Sequence, residues 1–164
     1  MFKKFLCLMA ALVLVAACDT TGENGGAGSM NGANGGGVGH NGPVHPGTQE
    51  DLVVNVGDRV FFAFNESDLT PEARATLDRQ SAWLKKYATV RVTVEGHCDE
   101  RGTREYNLAL GERRATAIKN YLVADGVKAD RVKTISYGKE RPAVLGSNEA
   151  AWAQNRRGVT VVTP

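Results

Sequence analysis

The sequence predicts an α+β domain, a mixed four-stranded sheet with helices packed on one face. Strand-like and helix-like runs follow one another in the order β, α, β, α, β, α, β across residues 51–164. The helical runs keep their apolar residues at helical spacing, and capping or stop residues separate the runs.

LVVNV (52–56) and RVFFAF (59–64) read as strand, being apolar or alternating. Thr70, Pro71 and Glu72 then supply an N-cap, a proline at the first helical position and an early acid, so the spacing of Ala73, Leu77, Leu84 and Tyr87 predicts a helix over 71–87. VRVTV (90–94) alternates cleanly and predicts a strand ending at Gly96. A second helix is predicted over 104–124, stopped by Asp125 and Gly126. A strand over 131–137, a loop over 138–147 containing Pro142, a short helix over 148–155 and a last strand over 158–163 complete the domain.

The whole chain has 164 residues, 23% charged and 42% apolar, which describes neither a disordered protein nor a membrane bundle. Its domain carries a net charge of +3, from 18 Lys and Arg against 15 Asp and Glu over 51–164, too mild to argue for nucleic acid. The start is different in kind. MFKKFLCLMAALVLVAAC has basic residues at Lys3 and Lys4, an apolar run over 5–15 and small residues before Cys18, the pattern of an export signal over 1–17. The apolar run is too short to cross a bilayer core of about 30 Å comfortably.

VAAC (15–18) resembles a bacterial lipobox, which implies cleavage before Cys18 and covalent lipid on it, an S-diacylglycerol and an N-acyl group. Residues 18–50 then form a lipidated end and a tether rich in Gly and Asn, with almost nothing to bury. Its coil span is roughly 30 Å and its contour limit about 110 Å. With Cys7 removed and Cys18 lipidated, Cys98 is the one thiol left in the mature chain, so no internal disulfide is available.

The chemistry concentrates where the strand ending at Glu95 runs through Gly96, His97, Cys98, Asp99, Glu100, Arg101 and Gly102 into the second helix. Such a turn gathers unpaired N–H groups and the positive end of a helix dipole, suited to a carboxylate or phosphate. On the helix, Leu110, Arg114, Ile118, Tyr121 and Leu122 share a face, so Arg114 sits in the apolar stripe while Arg113 lies off it. A guanidinium there needs a carboxylate. Either Asp99 supplies it in an internal salt bridge, or Asp99 and Arg114 are the two poles of a pocket for a zwitterion, taking its ammonium and its carboxylate.

GHCDERGT (96–103) with YNLALGERRA (106–115) resembles the peptidoglycan-binding motif of the OmpA-like C-terminal domain family, and within it the peptidoglycan-associated lipoproteins. VFFAF (60–64), SYGKERP (136–142) and NRR (155–157) extend the resemblance across the domain. It implies non-covalent binding of meso-diaminopimelate in peptidoglycan stems through Asp99 and Arg114, with Asn107 and Leu108 lining the groove and Arg157 closing it. It further implies an outer-membrane lipoprotein facing the periplasm, a tether between that membrane and the cell wall within the Tol-Pal system, active during constriction at cell division. TolB would compete with peptidoglycan for an overlapping surface, other Tol proteins would be partners, and no cofactor is implied. Family members often carry an acid where this chain has Asn65, which removes one charge from the expected site.

Other readings fare worse on the residues. A hydrolase built on His97, Cys98 and Asp99 meets the alternation of extended residues, which turns His97 away from Cys98. Zinc held by His40, His45, His97 and Cys98 would place two ligands in the tether at a spacing that matches no closed site. Cys98 reads as a packed small residue, Trp83 and Trp152 as core or rim, and Arg101, Arg104 and Glu105 as solvated surface.

Overall fold

A computed structural model describes residues 44–163; the export signal, Cys18 and most of the tether lie outside the described residues. Helix α1 (Gln49–Asp51) continues as a π-helical turn (Leu52–Val56). Then follow β1 (Arg59–Phe61), α2 (Pro71–Lys86), β2 (Arg91–His97), α3 (Arg104–Ala124), β3 (Val132–Gly138), α4 (Glu149–Asn155) and β4 (Arg157–Thr163). The strands form one sheet in the order β1-β4-β2-β3. β2 and β3 are parallel, joined by α3 as the crossover, and β4 is antiparallel to both β1 and β2.

The expected elements are present within a residue or two, apart from the two runs before Pro71. LVVNV is helical, not a strand. Thr48 caps the turn by accepting from the Asp51 amide, and Gly57 at φ 94° ends it. Of its apolar residues only Leu52 is buried, while Val53 and Val54 face outward, so nothing on a neighbouring sheet rewards the β preference of the valines. β1 is also shorter than RVFFAF suggests, because the chain turns away after Phe61 and passes through a left-handed Asn65.

The core lies between the sheet and α2 and α3. Val60, Val92, Val94 and Val132 from the strands meet Leu77 and Leu84 from α2 and Ala115, Ile118 and Leu122 from α3, with Leu52 and Phe62 completing it. The closest approach is at Gly96 of β2 and Gly111 of α3. A Cβ on Gly96 would lie 2.6 Å from the Gly111 carbonyl carbon and nearer still to its oxygen. Bare backbone on both sides lets α3 lie directly on β2.

The described chain begins at the far end of the sheet from the β2–α3 turn. The Gln49 side chain donates to Thr160 O and accepts from the Val162 amide of β4. Asp51 accepts from Gly47 N and from Trp83 Nε1 near the end of α2. Gly47, Gln49 and Asp51, at the junction of the expected tether and domain, thus take part in hydrogen bonds that reach α2 and β4. No described helix is long and apolar enough to cross a membrane.

Candidate functional site

The β2–α3 turn is set by local chemistry. The pairing of β2 with β3 slips by one residue between Gly96 and His97, and Cys98 N then donates to Gly138 O at 2.8 Å. Gly102 takes φ 88°, and Thr103 caps α3 by accepting from Tyr106 N. The Asn107 amide donates to Arg101 O and Thr103 O, while Lys139 donates to Glu100 O and Gly102 O. Carbonyls that would point into solvent are thus claimed, and the turn is held from both sides.

Beside it lies a cavity of about 100 Å³. Asp99 and Arg101 from the turn, Asn107 and Arg114 from α3, Phe64 from the segment after β1, and Arg156 between α4 and β4 are among its lining residues. Arg114 is fully buried. Its Nε donates to Glu66 O at 2.8 Å, Nη1 to His97 O at 2.9 Å and Cys98 Sγ at 3.5 Å, and Nη2 to Ala63 O at 3.0 Å. Neutral acceptors fix the guanidinium but do not cancel its charge, and among the described residues no carboxylate pairs with it. Burial pulls Arg114 below its ordinary pKa.

Asp99 turns elsewhere. Oδ2 meets Arg101 Nη2 at 2.6 Å and Arg156 Nη1 at 3.4 Å, and Oδ1 accepts from Arg101 Nε and the Arg101 amide. Burial would raise the carboxyl, but the Arg101 hydrogen bonds outweigh it and hold Asp99 below the usual carboxylate range. Arg156 also reaches Glu149 at 2.7 Å, and Arg101 reaches it at 3.9 Å. Two carboxylates therefore face three guanidinium groups, and the charge left over sits at Arg114.

The internal Asp99–Arg114 salt bridge, one of the two readings open from sequence, does not form. The pocket brings together Asp99, Asn107 and Arg114 as expected. Leu108 is not among the lining residues; its carbonyl accepts from Ser136 Oγ at 2.7 Å. Arg157 is not among them either. Its neighbour Gly158 faces Ile118 on the helix side, so strand alternation turns Arg157 to the other face, where it donates to Asn155 O and Arg141 O. Arg156 takes the place at the pocket, a one-residue difference that the sequence could not fix at a strand end.

Arg101 is not solvated surface. Its guanidinium lies between the Phe64 ring at 4.0 Å and the Trp152 ring at 4.1 Å, on the Asp99 carboxylate. The legible signal was an Asx turn, in which an aspartate accepts from the amide two residues on. Asn65 lines the pocket and is bonded to the Tyr106 hydroxyl.

His97 and Cys98 point apart. The ring of His97 lies against Tyr137 and Glu95, burial lowers its pKa to about 4, and its Nδ1 has no partner. The Cys98 thiol donates to Asn107 O on the α3 side, and burial raises its pKa. They form no nucleophile–base pair. Among the described residues no group of three His, Cys, Asp or Glu is placed to hold a metal ion.

The OmpA family model matches residues 61–156. A peptidoglycan-associated lipoprotein of Rhizobium meliloti is 55% identical over 121 residues, covering 74% of this chain and 69% of that one. Its namesake in Pseudomonas aeruginosa is 44% identical over 162 residues, covering 95% and 94%. The crystal structure of the peptidoglycan-associated lipoprotein from Burkholderia pseudomallei superposes with a TM-score of 0.63 at 40% identity, covering 65% of this chain and 90% of that one. The C-terminal domain of Helicobacter pylori MotB, at 18% identity and TM-score 0.61, shares the fold.

Proposed function

Because the chain belongs to the OmpA family, among its peptidoglycan-associated lipoproteins, we propose that the Asp99–Arg114 pocket holds meso-diaminopimelate of peptidoglycan stems. The observation that carries this reading is the fully buried Arg114, fixed by neutral acceptors, bearing an uncancelled charge and lining an open cavity. A ligand carboxylate supplies the missing charge, and its entry is favoured because the guanidinium is already desolvated and oriented. Diaminopimelate presents an ammonium beside that carboxylate, and Asp99 is the acceptor for it.

The wider role follows from this reading. The protein is a non-catalytic lipoprotein, carrying lipid on Cys18, that tethers the outer membrane to the wall from the periplasmic side. It works in the Tol-Pal system during envelope constriction, with TolB competing for the same surface. No cofactor takes part.

Titration of the full chain with diaminopimelate-type and lysine-type muropeptides tests the pocket. The lysine stem lacks the second carboxylate, so it binds about ten- to hundredfold more weakly, and Asp99→Asn lowers diaminopimelate affinity by a similar factor. Equal affinity for the two stems, or a fully active Asp99→Asn protein, rejects the proposal. New muropeptide fragments by mass spectrometry would reject the non-catalytic role.

A further inference from the structure

The seat assigned to the ligand ammonium is not empty. Arg101 fills it: Nη2 and Nε sit on the two Asp99 oxygens at 2.6 and 3.2 Å, with Phe64 and Trp152 on either side of the guanidinium. An acid floor and two aromatic walls are what a cationic ligand would be offered. The walls explain why Phe64 stands 57% exposed next to a charged cluster instead of in the core.

We propose that Arg101 is an internal occupant of this seat, an affinity-setting residue that a ligand ammonium must displace from between Phe64 and Trp152 before it can reach Asp99. The proposal rests on the diaminopimelate reading of the pocket.

The geometry allows the exchange. The backbone of Arg101 is fixed by Asp99 and Asn107, but its guanidinium sits at the far end of a flexible stem, about a third exposed, on a residue in a turn rather than in a helix or strand. Arg156 is different, being buried and tied to Phe62 O as well as to Asp99 and Glu149. When Arg101 leaves, Glu149, already 3.9 Å from its Nη1 and itself exposed, lies beside its path. Arg156 stays and keeps one oxygen of Asp99 engaged. The ligand thus meets a two-state site whose competent form is only part of the population, and its observed affinity is reduced by that fraction.

Calorimetric titration of the full chain with a diaminopimelate-containing tripeptide, in wild type, Arg101→Ala and Arg101→Gln, provides the test. Both variants are expected to bind about three- to tenfold more tightly while still unfolding cooperatively on heating. Unchanged or weaker binding by variants that remain folded overturns the proposal and leaves the diaminopimelate reading intact, because Arg101 would then be an ordinary wall of the site. No binding by wild type or by either variant overturns both. A second measurement needs no variant. In nitrogen-15 spectra of the wild type the Arg101 Nε–H signal, shifted by the two rings, moves to a solvent-like position on saturation with the tripeptide; a signal that stays in place overturns the proposal.

Discussion

Gly96→Ala is the substitution that most directly tests how β2 and α3 are joined. The added Cβ would lie 2.6 Å from the Gly111 carbonyl carbon and 3.0 Å from its Cα, both backbone atoms of the facing helix. Carbon atoms pack at about 3.5–4.0 Å, so α3 must retreat from β2 by about 1 Å. Overpacking of side chains costs typically about 1–3 kcal/mol, and here no rotamer change relieves the clash, so a loss of about 3 kcal/mol or more is expected. Gly111→Ala is the control. Its Cβ meets Gly96 O at 2.9 Å and the Ser136 hydroxyl, which can rotate away, and alanine gains up to about 1 kcal/mol in a helix, so its net cost is smaller, about 1–2 kcal/mol. Urea unfolding of both variants and wild type gives the two numbers. The same retreat separates Asp99, after β2, from Arg114, on α3, by more than the roughly 0.5 Å a binding constellation tolerates, so Gly96→Ala loses ligand as well. A Gly96→Ala protein within about 1 kcal/mol of wild type, or one more stable than Gly111→Ala, refutes this account of the interface.

Acid sensitivity between about pH 4 and 6.5 is assigned to His97. It is buried neutral with its pKa lowered to about 4, so the unfolded chain binds more protons in that window and stability falls as pH drops through it, by about 3 kcal/mol in all. His97→Gln should flatten that slope in urea melts at pH 7 and 4.5, and an unchanged slope contradicts the assignment. Asn155→Ala frees Ala143 N, Val144 N and Val144 O together, at a cost of about 2–3 kcal/mol, with faster hydrogen exchange over 141–147 as the local reading. Cys98, buried with its pKa raised, is expected to resist alkylation until the domain unfolds, which peptide mapping after timed iodoacetamide treatment measures.

The fold was legible wherever periodicity and capping agreed. Thr70-Pro71-Glu72 placed the start of α2, and the alternation of VRVTV placed β2. LVVNV failed because composition favours a strand while the Thr48 cap and Gly57 close a turn, and only packing decides between them. In the site, the helical stripe was enough to bury Arg114 and leave Arg113 outside it. It was not enough to name Arg114's partners, which are carbonyls of Ala63, Glu66 and His97, groups that every residue possesses. Arg101 and Arg156 were hidden for another reason. Each depends on side-chain direction at the edge of an element, where one residue of slippage reverses the face.

The Gln49 clamp on β4 and the Asp99 pocket lie at opposite poles of the same strands. A pull between residue 44 and a molecule held at Asp99 therefore runs lengthwise along β2 and β4, whose inter-strand hydrogen bonds stand perpendicular to it. Loaded in that direction, the rungs from Arg91–Thr163 to Gly96–Gly158 share tension and must part together rather than open one by one.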